Sequence, residues 1–187
     1  MLMTVRWIIA MRPLRADGSA RVGDRLDATF RVLPSDLDLL MHMTNGRYLS
    51  ILDAARIAYM SETGLWRRLR TRGWHPVVVA QTISYRRPLT LGTRYQVRTA
   101  LIGVDDRNVY FEQEFHVGER THATAVVAIR YLDRTGESVL PDQVLALDVD
   151  VALPDSLPTW VGDWSEAIRT QAAADRPATA SSQGEPA

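Results

Sequence analysis

The sequence predicts an α+β fold in which an antiparallel sheet of five or six strands wraps around one long central helix. Three features predict it: a strand-like segment, then one long helical pattern, then four strand-like segments in a row. The four segments are joined by about four to eight residues, too few for parallel crossovers. A lone helix beside such a sheet must bury its apolar side on one sheet face.

The first strand covers residues 26–33, where apolar residues alternate with polar ones until Pro34 ends the pattern. Apolar residues then recur at helical spacing, and either Thr44 or Asn45 can cap this helix. We expect the helix to end near Gly64, because glycine tolerates the left-handed conformation that closes a helix.

A second, shorter helix is predicted for residues 65–72, closed by Gly73. The strands that follow are rich in β-branched and aromatic residues, and turn signals such as Leu91-Gly92 and Gly118-Glu119 separate them. These strands are predicted at residues 77–85, 94–104, 109–117 and 123–132.

Changes in composition along the chain divide it into four segments, one of which is this domain. We assign residues 1–24 to an N-terminal arm, 25–150 to the domain, 151–175 to a helical extension and 176–187 to a disordered tail. Pro154 and Pro158 mark the hinge before the extension, and the tail is rich in Ala, Ser, Gln, Gly and Pro.

Charge and cysteine content exclude several classes of function. Basic and acidic residues both number 22, so no global field favours nucleic acid. The chain has no cysteine, which excludes disulfides and thiolate nucleophiles and is compatible with a reducing cytoplasm, where we expect the protein. The spacing of His75, His116 and His122 shows no metal-ligand pattern, and we expect no metal.

The apolar stretch near the N-terminus is broken by Arg6 and stopped by Arg12 and Pro13, well short of the ~20 residues of a membrane span. We therefore expect no integral span. The stretch could pack on the domain or lie as an anchor at a membrane surface.

The loop before the long helix carries the chemistry-bearing residues. Asp36 and Asp38 are two residues apart, so in an extended segment their side chains would point the same way. At the helix N-terminus we expect open backbone N–H groups, those of Gly46, Arg47 and Tyr48, which could stabilise an oxyanion. A carboxylate close to such donors has both parts needed for acyl transfer.

This pattern, D-x-D-x-x-x-H-x-x-N-x-x-Y, resembles the signature of 4-hydroxybenzoyl-CoA thioesterases of the hot-dog superfamily. A strand ending in Pro88 before a turn at Gly92 is similar to the same family, although Thr44 stands where relatives carry another asparagine. The resemblance implies a hot-dog fold, hydrolysis of an acyl-CoA without a cofactor, and Asp38 as nucleophile or general base. It also implies a homodimer or homotetramer.

Other residues have alternative roles. His42 could orient the aspartate, bind substrate or fix the turn, and Asn45 could cap the helix or contact substrate. We expect Tyr48 to lie in the core and also to contact the substrate. Asp53 could replace the loop aspartate as the catalytic carboxylate or bind substrate, or it could pair with Arg56.

Arg86 and Arg87 could hold coenzyme A phosphates or be ordinary solvated arginines. The main rival function is a non-catalytic acyl-CoA-binding or lipid-binding hot-dog protein, since fold does not fix function. A hot-dog hydratase fits the loop less well.

Overall fold

The computed structural model describes residues 20–148, 151 and 156–174. The chain divides between Ser156 and Leu157 into two compact units. The first contains β1 (Leu26–Arg31), α1 (Asn45–Glu62), α2 (Leu65–Arg72), β2 (His75–Tyr85), β3 (Arg94–Val104), β4 (Val109–Val117), β5 (Arg120–Leu132), β6 (Ser138–Val139) and α3 (Pro141–Leu145). The second contains α4 (Thr159–Ala174).

The strands form one antiparallel sheet in the order β1-β3-β4-β5-β2, and β6 pairs with β5. β1 and β2 are the two edge strands of this path, so the connection through α1 and α2 must cross the whole sheet. The predicted α+β architecture is confirmed, and α1 is the long helix around which the sheet is built.

Apolar residues on α1 form the core against one sheet face. Tyr48, Ile51, Leu52 and Ala55 pack in a cluster with strand residues such as Phe115. Towards its C-terminal end α1 joins a second cluster that includes α2. The buried members of that cluster from α1 and α2 are Tyr59, Met60, Leu65 and Leu69, and those from the sheet include Phe111, Val127, Ile129 and Tyr131.

The predicted elements agree closely with the observed ones. Gly64 has a φ of +69°, as expected for a left-handed residue between α1 and α2. β2 begins at His75 and β5 at Arg120, both earlier than predicted, while β1 already ends at Arg31. β6 was not located, because a two-residue strand has no periodicity to detect.

The amphipathic helix predicted in the extension is present as α4. The assignments of residues 1–19 in the arm and of the tail at 176–187 lie outside the described residues. No helix among the described residues is long and apolar enough to span a membrane.

Candidate active site

The loop between β1 and α1 carries both predicted aspartates. It starts with a 3-10 turn, Pro34–Asp36, and ends at Thr44, the residue before α1. Leu37 and Met43 form an antiparallel bridge, so residues 38–42 project beyond it as a narrow turn. The loop therefore places Asp38 on a backbone-braced turn.

Asp36 is buried and braces this loop. Its Oδ1 lies 3.0 Å from Nε of Arg47, and its Oδ2 accepts a 2.8 Å hydrogen bond from the Leu33 N–H. Arg47 also donates to the Ser35 carbonyl at 3.1 Å, and the Thr44 N–H donates to the Asp36 carbonyl at 2.9 Å. One buried carboxylate thus ties the loop to the first turn of α1.

Asp38 lies in the opposite environment, with its side chain exposed. The expectation that it would point the same way as Asp36 is wrong, because the 3-10 turn interrupts the extended backbone. Its Oδ1 accepts hydrogen bonds from the N–H groups of Leu40, at 2.8 Å, and His42, at 3.1 Å. Oδ2 has no partner among the described residues. The carboxylate is held in one orientation and keeps one oxygen open.

The tip of the turn has an unusual backbone. Met41 has a φ of +62°, in the left-handed region that costs a residue with a side chain about 1 kcal/mol. The Met41 N–H donates to the Asp38 carbonyl at 3.1 Å, and the Asp38 N–H donates to the His42 carbonyl at 2.9 Å. These bonds offset the backbone strain and close the turn around Asp38.

His42 fixes the turn through its backbone, one of its predicted roles. Its ring is half-buried and has no hydrogen-bond partner within the described part of the chain. His42 bridges to Thr90, and the Met43 N–H donates to the Leu89 carbonyl at 2.8 Å. The Asp38 loop is therefore fastened to the connection between β2 and β3. A substrate contact by the His42 ring stays a prediction.

The N-terminus of α1 agrees with the prediction in part. Of the two predicted caps, Thr44 is the N-cap residue and Asn45 is not; Asn45 is the exposed first residue of the helix. The N–H groups of Arg47 and Tyr48 donate to the Thr44 carbonyl, at 2.9 and 3.3 Å, and are therefore not open donors.

The open donors are the backbone N–H groups of Asn45 and Gly46, and only that of Gly46 was predicted to be open. Neither the Asn45 N–H nor the Gly46 N–H has a hydrogen-bond partner among the residues described, as expected for the first turn of a helix. A Cβ placed on Gly46 would meet nothing within 4 Å, so the space beside this residue is clear. The positive end of α1 thus presents two free N–H groups.

Tyr48 lies in the core, as predicted. Its ring centroid is 5.0 Å from that of Tyr85 and 4.9 Å from that of Phe115, both in edge-to-face contact. Burial raises the pKa of the Tyr48 hydroxyl, although a hydrogen bond with the Leu89 backbone acts in the opposite direction. Tyr48 anchors the start of α1 to β2 and to the segment that holds the Asp38 loop.

Asp53 is paired with Arg56, which was one of its predicted alternatives. The Asp53 side chain is 53% exposed, whereas that of Arg56 is buried. Arg56 also donates to Oε1 of Gln113 at 2.6 Å, and Gln113 donates to the Leu52 carbonyl and to the Thr99 hydroxyl at 3.0 and 3.1 Å. Burial lowers the pKa of Arg56, and the Asp53 charge opposes that shift.

Gln113 and Thr99 were not predicted from the sequence. Together with Asp53 and Arg56 they form what we call the helix-sheet network. A signal was available for Gln113. It stands between Phe111 and Phe115 on the core-facing side of β4, and a polar residue at such a position needs a buried partner. The partner, Arg56, lies 57 residues away along the chain.

Arg86 and Arg87 are exposed at the end of β2. Their N–H groups both donate to the His122 carbonyl, at 2.8 and 3.1 Å, and the Arg87 guanidinium donates to the Thr121 carbonyl at 3.0 Å. The two arginines lie within three residues of Leu89, whose carbonyl binds the Asp38 loop. The structure thus brings them to the same end of the sheet as Asp38.

A second polar cluster lies where β1, β3 and β4 adjoin. Arg98 donates two 3.0 Å hydrogen bonds to Asp27, and Nε2 of His116 is 3.4 Å from the same carboxylate. Burial acts to raise the pKa of Asp27, but the bonds and charges of Arg98 and His116 outweigh it and lower the pKa. Two shallow clefts border His116, and neither is lined by Asp38 or Asp53.

The chain carries a fixed carboxylate at Asp38 and, seven residues later, the first free N–H donor of α1, which are the two kinds of group that acyl transfer uses. The sequence model of the thioesterase-like superfamily matches residues 32–164. The chain belongs to this superfamily. Its sheet and central helix are those of the hot-dog fold, and at family level the chain is related to thioester hydrolases.

Among curated proteins, Protein THEM6 of Xenopus laevis is 40% identical over 99 residues, which are 53% of this chain and 48% of THEM6. The chain thus spans about half the length of the curated relatives it matches. Two solved structures share the fold. The probable thioesterase YbaW from Escherichia coli has a TM-score of 0.61 at 21% identity, with 66% of this chain and 98% of YbaW covered. Slr0204 from Synechocystis, a 1,4-dihydroxy-2-naphthoyl-CoA thioesterase, has a TM-score of 0.57 at 14% identity, with 66% and 93% covered.

Proposed function

We propose that this protein hydrolyses an acyl-CoA to the free acid and the thiol, with Asp38 as nucleophile or general base. The observation that carries the proposal is the Asp38 carboxylate, which two backbone N–H groups hold through Oδ1 while Oδ2 stays open. A base or nucleophile needs both a fixed direction and an unused lone pair.

The thioester carbonyl oxygen would accept hydrogen bonds from the N–H groups of Asn45 and Gly46, at the positive end of α1. Donors fixed in advance stabilise the negative charge that develops on this oxygen during attack. Arg47 would contribute through the brace with Asp36, which holds the loop against the helix.

Two routes lead to the same products. In one, Asp38 Oδ2 attacks the carbonyl carbon, the thiolate leaves and takes up a proton, and water hydrolyses the resulting acyl-enzyme anhydride. In the other, Asp38 takes a proton from water as the water attacks, and that proton passes to the departing thiolate. Both routes consume one water and release one acid and one thiol.

The remaining predicted residues would contact the rest of the substrate. Arg86 and Arg87 lie at the same end as Asp38 and carry charges suited to coenzyme A phosphates. Tyr48 would support the acyl group from the core side. Asp53, already paired with Arg56, would border the substrate without reacting.

The alternative is a non-catalytic acyl-CoA-binding or lipid-binding protein. One observation favours it: the two bonds to Asp38 Oδ1 are also what a carboxylate makes when it only caps its own turn. Hydrolysis of a panel of acyl-CoAs, followed by release of free thiol, separates the two functions. We expect turnover of at least one acyl-CoA; saturable binding of acyl-CoAs with no thiol release would support the alternative.

We further propose that the protein is a homodimer or homotetramer and lies in the cytoplasm, a reducing compartment with which a cysteine-free chain is compatible. The support for self-association lies in β2, an 11-residue edge strand on which Val77, Val78 and Val79 are exposed.

Sedimentation equilibrium at micromolar concentration tests this assembly. We expect at least a dimer, and Val78→Arg should shift it to monomer because the charge would enter the strand pairing. Leu140→Arg, at an exposed leucine that follows β6 on the other side of β5 from β2, is the matched control. A wild-type monomer would contradict the assembly without affecting the proposed hydrolysis.

A further inference from the structure

Three consecutive exposed apolar side chains follow Asp38 at the tip of its turn. Leu39 is fully exposed, Leu40 is 74% exposed and Met41 is 55% exposed. Leu91 is also exposed and follows Thr90, which bridges to His42 in the same loop. We call these four residues the apolar tip. Monomeric proteins rarely expose contiguous apolar side chains without a binding partner for them.

Exposed arginines lie at the same end of the sheet as the apolar tip. Tyr85 pairs with Ala123, and Arg31 pairs with Arg94, which places the adjoining ends of these strands at the same end of the sheet. The exposed arginines there are Arg31, Arg86, Arg87, Arg94 and Arg120. Among the described residues, the exposed carboxylates at this end are Asp38 and Glu119. This end of the molecule is therefore both apolar at its tip and positively charged around it.

We propose that the apolar tip and its arginines bind the surface of an anionic lipid bilayer. The leucine and methionine side chains would enter the boundary between headgroups and acyl chains, while the arginines meet the lipid phosphates. Both properties of the surface are needed, since a few apolar side chains alone or a few charges alone bind membranes weakly.

The shape of the tip favours a bilayer over a small anionic ligand. Residues 38–42 project beyond the Leu37–Met43 bridge, so the exposed side chains stand on a protrusion. Small-molecule sites are concave and enclose most of the ligand. A protrusion with a fully exposed leucine is suited to insertion into a fluid lipid bilayer.

Charge disfavours a second copy of the chain as the partner. In a two-fold interface the same patch faces itself, which here would bring five arginines from each protomer together against two carboxylates from each. An anionic bilayer has the complementary charge. The inference does not require the proposed hydrolysis, although Arg86 and Arg87 are proposed to contact phosphates in both, and a catalytically inactive variant should still bind vesicles.

Co-sedimentation of the full chain with vesicles tests the proposal. We expect binding to phosphatidylcholine vesicles that contain phosphatidylserine, much weaker binding to phosphatidylcholine alone, and loss of binding as salt rises. Leu39→Ser with Leu91→Ser should lower the partition coefficient about tenfold, because two exposed apolar groups are removed from the interface. Leu140→Ser is the matched control, at the opposite end of the sheet, and should bind as the wild type does.

The absence of cysteine allows a second, site-specific measurement. Leu39→Cys labelled with an environment-sensitive fluorophore should brighten when anionic vesicles are added, and labelled Leu140→Cys should not. Three outcomes would overturn the proposal. They are no vesicle binding, full binding by the Leu39→Ser/Leu91→Ser variant, and brightening of the Leu39→Cys label with protein concentration alone, which would show that a second copy covers the tip.

Discussion

The Asp38 loop and the helix-sheet network each present a carboxylate at the surface, but they hold it differently. Asp38 is held by neutral backbone N–H groups of its own turn, and one carboxylate oxygen is open. Asp53 is held by the charged guanidinium of the buried Arg56. The comparison shows that two exposed aspartates of one chain can differ in whether their charge is paired, and it supports the proposal that the chemistry lies in the loop.

The largest expected effect is the loss of kcat on replacing Asp38 in the loop. Asp38→Asn keeps an oxygen that can accept the Leu40 and His42 N–H bonds, but the amide can neither attack a carbonyl nor accept a proton from water. We expect kcat for acyl-CoA hydrolysis to fall at least ~10²-fold, about 3 kcal/mol of transition-state stabilisation. The urea midpoint should stay near the wild-type value, which shows that the loss is chemical. An active variant would remove Asp38 from the mechanism.

On the network side, the expected effect is on stability. Arg56→Met leaves the buried Gln113 carbonyl without its donor, which should cost about 1–3 kcal/mol of unfolding free energy in urea titrations. Adding Gln113→Met removes both partners, so the double variant should lose less than the sum of the single losses. Strict additivity would show that the two side chains do not interact.

Asp36 sharpens the comparison within the loop itself. Asp36→Asn removes the charge of a buried carboxylate that forms an ion pair with the partly exposed Arg47, so we expect a loss of about 1–2 kcal/mol of stability. Its kcat, measured under conditions where the variant is folded, should fall far less than that of Asp38→Asn. If the two variants lost the same kcat, the brace and the reactive group could not be told apart, and the assignment of Asp36 as structural would be wrong.

The fourth prediction concerns pH and has the smallest effect. The pKa of Asp27 is lower in the folded protein than in the unfolded chain, so its pairing stabilises the fold above the unfolded pKa. That contribution is lost as the pH falls below about 4. It should stay below about 1 kcal/mol, because the group is partly exposed. Asp27→Asn should therefore narrow the difference in Tm between neutral and acidic pH. An unchanged difference would show that the Asp27 pairing does not contribute to the pH dependence of stability.

The fold could be predicted largely from the sequence, because strand alternation, helical spacing and turn residues are local signals. The α1 and α2 boundaries and the strands β3 and β4 follow from them. The site could be predicted only in part. Whether Asp36 or Asp38 is buried depends on the 3-10 turn after Leu33, and which N–H groups stay free depends on the Thr44 carbonyl.

The partner of Gln113 could not be predicted, because the contact joins residues that are distant in sequence. Periodicity shows that a polar residue lies at a core-facing position, but not what it meets there. Tertiary packing alone brings Arg56 to it. The same limit applies to the Asp38 loop, whose attachment at Leu89 joins two segments far apart in the chain.

The most direct test of the central claim is the ratio of two kcat values in one assay. Thiol release from the best acyl-CoA substrate is measured for Asp53→Asn and for Asp38→Asn under identical conditions. We expect Asp53→Asn to keep kcat within about threefold of wild type and to exceed Asp38→Asn at least about 30-fold. A ratio below one, with Asp53→Asn inactive and Asp38→Asn active, would contradict the account and place the reactive carboxylate on the helix.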